Sequence, residues 1–253
     1  MKISILALMT IALAGAACGG DSATAPSAST PSGSTETFTG SLAVQGSSFY
    51  SFTVATTETV SLSLASLTAN SIGAASASVV RLGLGVPVGT DCAINNSVDT
   101  AAGLTTQLTA SVTPDVYCVK ISDIGSLATP ANFTIRIGHN LTTSSSNPTA
   151  ATDTFASFLA IGGSTAHTFP VSQSGTIVIT LTSVTPSSVV GLGIGIPGSS
   201  TSTCILSSSV NATAGSTPPI TVPVDAGTYC VEVYDAGALT APGVSFSLTI
   251  AHP

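Results

Sequence analysis

The sequence predicts an all-β protein: two tandem antiparallel β-sandwiches, jelly-roll or immunoglobulin-like, each closed by one disulfide. Three observations lead there: the composition, a duplication running through the chain, and period-two apolar alternation within each copy. The 253 residues are 43% hydrophobic but only 6% charged, with no Trp. Ser, Thr, Ala, Val and Gly dominate, and β-branched residues pack well on a pleated surface, whereas good formers of exposed helices are scarce.

The duplication is direct. Glu36-Thr-Phe-Thr-Gly-Ser-Leu-Ala returns as Asp153-Thr-Phe-Ala-Ser-Phe-Leu-Ala, and Val79-Val-Arg-Leu-Gly-Leu-Gly-Val-Pro returns as Val189-Val-Gly-Leu-Gly-Ile-Gly-Ile-Pro. Tyr117-Cys-Val-Lys-Ile-Ser-Asp returns as Tyr229-Cys-Val-Glu-Val-Tyr-Asp, and the copies close on His139 and His252. Such self-similarity divides the chain into a signal segment over 1–17, a polar tether over 18–35, copy one over 36–140, a linker over 141–152 and copy two over 153–253. The linker LTTSSSNPTAAT has no periodicity, so the copies are expected to move relative to one another.

In copy one, apolar runs bounded by turn residues fall around 40–44, 49–54, 60–67, 78–86, 104–112, 116–122 and 133–137. Short strands at such intervals predict a sandwich with one face of each strand inward. The clearest are Val60, Leu62 and Leu64 in copy one and Ile177, Ile179 and Leu181 in copy two. Neither half contains a convincing amphipathic helix.

The first 17 residues, MKISILALMTIALAGAA, join one cation to a short apolar run and small residues, the pattern of an export signal. Gly15-Ala16-Ala17-Cys18 resembles a bacterial lipoprotein signal, which would make Cys18 the lipidated first residue of the mature chain. Gly19 after it, where Asp would signal inner-membrane retention, implies the outer membrane or cell surface. Ordinary secretory cleavage after Ala14-Gly15-Ala16 is the alternative; it leaves Cys18 an unpaired thiol on a freely secreted protein. Cysteine parity favours lipidation. Of five Cys, the other four sit at repeated positions and predict Cys92–Cys118 and Cys204–Cys230, each closing a loop worth roughly 3 to 4 kcal/mol in the chain-entropy model. Their spacing matches no zinc site.

Charge narrows the partners. The net charge is −7 with four Lys and Arg in all, none of them beyond residue 152, so nucleic acid and anionic headgroups are not expected. No metal, cofactor or catalytic residue is expected either. Asp123 and Asp235, matched in SDIGSL and YDAGAL, are read as turn-makers rather than calcium ligands, because calcium takes about six or more oxygens and acidic residues are sparse. His139 and His252 are read as solvated strand ends, and His167, aligned with Tyr50, as a tolerant surface position. Serine catalysis lacks a Gly-x-Ser-x-Gly elbow.

The repeated phrases RLGLGVP and GLGIGIP resemble a nucleotide loop only superficially, since Pro87 and Pro197 follow where a helix would have to start. With period two, Val80, Leu82, Leu84 and Val86 share one face, as do Val190, Leu192, Ile194 and Ile196. Gly83, Gly85, Gly191, Gly193 and Gly195 fall on the other, where a row of glycines marks close approach by another backbone or, alternatively, a bare platform facing a partner.

The layout of Gly-Ser-Leu, then Ser47-Ser-Phe-Tyr-Ser-Phe-Thr-Val, a Val-Ser-Leu-Ser-Leu strand and the late Asp225-Ala-Gly-Thr-Tyr-Cys-Val resembles the bacterial pre-peptidase C-terminal domain. That resemblance implies small β-sandwich modules that accompany secreted enzymes and assist secretion or substrate attachment. The paired Cys depart from the family pattern, and modules acting without a peptidase of their own are expected. The expected role is that of a non-catalytic cell-surface lipoprotein, held to the membrane by its lipid, whose sandwiches bind or space an extracellular protein or glycan. A secreted hydrolase with an unfamiliar site and a purely structural envelope or coat protein are the alternatives.

Overall fold

The structure is a computed structural model, and it describes residues 33–69, 77–139, 150–198, 203–215, 217–240 and 242–253. The export segment, Cys18, most of the tether and linker residues 141–149 lie outside the described residues. Copy one contributes β1 (Ser34–Leu42), β2 (Ser47–Val54), β3 (Glu58–Ala69), β4 (Val80–Val88), β5 (Asp91–Thr100), β6 (Leu108–Val112), β7 (Asp115–Asp123) and β8 (Ala131–His139). Copy two repeats them as β9 (Ala151–Ala160), β10 (Ser164–Val171), β11 (Gly175–Thr185), β12 (Val190–Pro197), β13 (Cys204–Ala212), β14 (Ile220–Val224), β15 (Gly227–Tyr234) and β16 (Gly243–His252).

Each copy is a sandwich of two four-stranded sheets, ordered β1-β8-β3-β6 over β2-β7-β4-β5, and β9-β16-β11-β14 over β10-β15-β12-β13. Of the two predicted types this is the jelly roll, whose nested antiparallel pairs form a double Greek key. Inward positions follow the predicted alternation: Val60, Leu62, Leu64, Val80 and Leu82 are fully buried, and so are Ile177, Ile179, Leu181, Val190, Leu192 and Ile194. Strands β5 and β13 went unpredicted. As an edge strand β5 buries little besides Cys92, so DCAINNSVDT carries no apolar stripe to read.

Both predicted disulfides form, Cys92–Cys118 and Cys204–Cys230. Paired structural disulfides belong to a protein that works outside a reducing cytosol. Each bridge joins the two strands that flank β4 or β12, not neighbouring strands. Strands two apart in a sheet lie roughly 9.5 Å from one another, yet the bridged Cα atoms are 5.9 and 5.8 Å apart. The edge strand therefore folds over its neighbour, and a β-bulge lets it. Pairing steps from Leu84↔Asn96 to Gly85↔Ile94 in copy one and from Ile194↔Ser208 to Gly195↔Leu206 in copy two, leaving Asn95 and Ser207 as the extra residues.

The two jelly rolls dock on each other within one compact unit, so the expected free movement of the copies is not what the structure shows. Ala65, the bulged residue of β3, and Leu104 leave copy one to join the core cluster of copy two. The Ser207 hydroxyl, on the bulge of β13, donates to the Ala65 carbonyl. Asp225 accepts from both the backbone N–H and the hydroxyl of Thr106, each at 2.7 Å. Arg136 stands over the Tyr229 ring at 5.7 Å. What remains open beside Arg136 and Asp225 is a crevice of about 20 Å³, room for little more than a water.

Candidate functional site

The glycines that singled out β4 and β12 are buried beneath their own neighbours, so they do not form a bare face turned to a partner. A Cβ at Gly85 would come within 1.9 Å of the Ala93 carbonyl oxygen, and one at Gly195 within 1.9 Å of the Ile205 carbonyl oxygen. These are the backbones that the disulfides draw across the strand, and only glycine leaves them room. Gly83 lies under the Ile94 side chain, Gly193 under Leu206 and Gly191 under the Tyr234 ring. Close approach by another strand is thus the reason for the row; the platform reading is corrected.

The matched carboxylates are turn-makers. Asp123 accepts from the N–H groups of Gln45 at 2.7 Å, Gly125 and Ser126 at 2.9 Å and Leu127 at 3.2 Å. Asp235 accepts from Gly162 at 2.8 Å, Gly237 at 2.7 Å and Leu239 at 3.4 Å. These donors, led by Gln45 for Asp123 and by Gly162 for Asp235, hold both carboxyls below the usual carboxylate range. Each aspartate ties the turn that crosses between sheets at the start of its copy, β1 to β2 or β9 to β10, to the loop after β7 or β15.

The histidines correct the sequence reading. His139 and His252 are both 8% exposed, because each closes a central strand that the opposite sheet covers: Phe52 packs edge-on against His139 at 5.7 Å, and Phe169 lies tilted against His252 at 5.3 Å. His139 is held between two carboxylates, Nδ1 at 2.6 Å from Glu58 and Nε2 at 3.4 Å from Glu36. In copy two Gly175 replaces Glu58, and His252 has Asp153 at 3.5 Å and the Pro253 carbonyl at 3.1 Å. His167 and Tyr50 are not merely tolerated variants: they stack alike on the matched rings Phe155 and Phe38, at 5.2 and 5.4 Å. Among the described residues no group of three or more His, Cys, Asp or Glu is placed to hold a metal ion.

Matched tyrosines brace the late turn. Tyr117 donates to the Thr113 carbonyl at 3.1 Å and Tyr229 to the Asp225 carbonyl at 2.7 Å, each four residues back. Copy one covers Tyr229 completely, and that burial pushes its phenol up.

One opening lies beside the seam, and copy two supplies nearly all of its lining. A cleft of about 380 Å³ runs along the outer face of the β10-β15-β12-β13 sheet, and Thr68 at the end of β3 walls it from the other copy. Its lining includes Ser164, Leu206, Glu232, Tyr234 and Asp235. Glu232 and Tyr234 alternate with the inward-facing Val231 and Val233 of β15, so both side chains stand on the outer face. Asp235 is engaged in its turn, whereas Glu232, Tyr234 and Ser164 make no side-chain hydrogen bond among the described residues.

The matched positions of copy one carry different side chains. Lys120 stands where Glu232 does, Ser122 where Tyr234 does and Arg81 where Gly191 does. Lys120 pairs with Asp91 at 2.7 Å and Arg81 with Asp99 at 2.7 Å. The cleft residues escaped the sequence reading, although a signal was there: in otherwise matched strands the alternate outward positions change character, Lys to Glu and Ser to Tyr.

No family model and no curated protein matches the chain. Among solved structures, the chain is similar to the PBSX exported protein XepA, at 12% identity over 86% of each chain and a TM-score of 0.29. A structure of Sulfolobus turreted icosahedral virus gives 13% identity over 87% of this chain and 92% of that one, with a TM-score of 0.27. The turret protein A223 of the same virus gives 15%, 87%, 97% and 0.25.

Proposed function

We propose that the protein is an exported, non-catalytic lipoprotein, anchored through Cys18, that presents two docked jelly rolls as one rigid module to an extracellular protein or glycan. The junction carries this reading. Docking buries Ala65, Leu104 and Tyr229 and sets Thr68 of copy one beside the cleft residues of copy two. A hinged pair of beads needs no such seam.

The placement of the chemically capable groups supports the absence of catalysis. Asp123 and Asp235 brace turns, His139 and His252 are packed at strand ends, and Arg81 and Lys120 are paired on the surface. In the cleft the Asp235 carboxylate is taken up by the backbone N–H groups of Gly162 and Gly237, which hold it as an anion in its turn. The kinship with pre-peptidase C-terminal modules that the strand motifs suggest accords with an attachment role.

The test is capture of envelope proteins and glycans by the mature tandem. A specific partner, recovered without being chemically altered, supports the role; recovery of nothing, or turnover of the captured species, overturns it. Palmitate labelling tests the anchor: a wild-type chain without label, or equal label on Cys18→Ser, removes the lipid from the account.

A further inference from the structure

The binding role leaves the ligand open, and the junction cleft narrows it. With no side chain at Gly191, the Tyr234 ring lies down over β12 instead of standing away from it, and its ring surface lines the cleft. Glu232, two residues earlier on the same face, brings a carboxylate with no partner among the described residues. Leu206 adds an apolar side chain to the lining, and Ser164 and Thr68 add hydroxyl-bearing residues from copy two and copy one. No lining residue is basic, and the whole second copy lacks Lys and Arg.

These features select among ligands. An anionic ligand meets Glu232 and Asp235 with no counter-charge. A purely apolar ligand strands a carboxylate and two hydroxyls without partners, which costs binding energy for each group desolvated. A neutral sugar suits all of them: the apolar C–H face of a pyranose lies on the Tyr234 ring and Leu206, and its hydroxyls donate to Glu232 and exchange hydrogen bonds with Ser164 and Thr68. A volume of about 380 Å³ lies in the ordinary range for small-ligand sites, about 300 to 1,000 Å³.

Resting on the binding role above, we propose that this cleft is a binding site for a neutral glycan, with Tyr234 as the stacking platform and Glu232 as the orienting acceptor. Copy one, with Lys120 and Ser122 at those positions, takes no part.

The test is titration calorimetry of the full mature chain, disulfides intact, against neutral gluco-, manno- and chito-trisaccharides, with a lysine-rich peptide as the competing cationic probe. At least one trisaccharide binds, and raising the salt leaves its affinity unchanged. Tyr234→Ala weakens binding about tenfold, Glu232→Gln weakens it severalfold, and Tyr234→Phe retains it. Lys120→Ala changes nothing. The last three are mild surface changes, so the outcome does not depend on whether Tyr234→Ala folds. No binding by any trisaccharide, salt-sensitive binding of the lysine-rich peptide instead, or sugar binding indifferent to Glu232→Gln and Tyr234→Ala overturns the site. An envelope partner captured equally by Tyr234→Ala overturns the glycan cleft alone, whereas failure to capture anything overturns the binding role beneath it.

Discussion

Gly85→Ala and Gly83→Ala add the same methyl group two residues apart on one strand, and the structure predicts very different outcomes. At Gly85 the new Cβ falls 1.9 Å from the Ala93 carbonyl oxygen, more than an ångström inside the 3.0 Å limit that real Cβ contacts respect. The obstacle is backbone, and it cannot step aside: β5 is held to β4 by pairing on both sides of the bulge and to β7 by Cys92–Cys118. Overpacking ordinarily costs about 1 to 3 kcal/mol, and an immovable obstacle puts Gly85→Ala at or above about 3 kcal/mol on that scale. At Gly83 the Cβ meets only the Ile94 side chain, Cδ1 at 2.8 Å and the two γ carbons at 3.0 and 3.2 Å, and Ile94 is 37% exposed, so a side chain rather than a backbone has to give. Replacing glycine within a strand regains about 0.5 to 1 kcal/mol of backbone entropy, so Gly83→Ala comes out near neutral. Guanidinium unfolding with the disulfides intact measures both as midpoint shifts at constant slope. A Gly85→Ala protein as stable as Gly83→Ala refutes the explanation of the glycine row.

The seam, the bridges and the turns give three further outcomes. Leu104→Ala removes a side chain 3% exposed from the junction and costs about 2 to 5 kcal/mol, read by the same unfolding assay as earlier loss of docking; no shift contradicts the buried seam. Replacing Cys204 and Cys230 together by Ser destabilises copy two by about 3 to 4 kcal/mol, and an unchanged midpoint denies the bridge its role. Asp123 and Asp235 have folded-state carboxyls held below their unfolded value, so the folded chain binds fewer protons in acid. Their stabilisation is complete above the ordinary carboxylate value of about 3.9 and is lost as pH falls through the lowered folded values. Urea midpoints measured down that acid limb fall less steeply in Asp123→Asn with Asp235→Asn than in the parent; parallel limbs contradict the turn assignment.

The core was legible because every inward position of a sandwich strand repeats at period two, as Val80, Leu82 and Leu84 do. The disulfides were legible because duplication reduces four cysteines to matched pairs. What escaped depends on register and on contacts distant in sequence. The bulges at Ala65, Asn95 and Ser207 each insert one residue that alternation cannot announce, and the seam is made by two of them. An edge strand such as β5 has little apolar face to show. His139 reads as a loose end in one dimension, but Phe52 of the other sheet closes over it. The bare-glycine hint pointed to the right face of copy two and to the wrong atoms: the surface there is made by the side chains that cover the glycines.

The central claim is that the two jelly rolls act as one rigid body, with the cleft at their junction. Spin labels on cysteines introduced at Val88 and Ile161, exposed at 60% and 51% in copies one and two, report it directly as a distance distribution in a chain carrying Cys18→Ser. A single narrow peak that broadens when Leu104→Ala and Asp225→Ala are combined is the predicted result. A broad distribution in the parent protein contradicts the docked tandem, and with it the junction on which the proposed function rests.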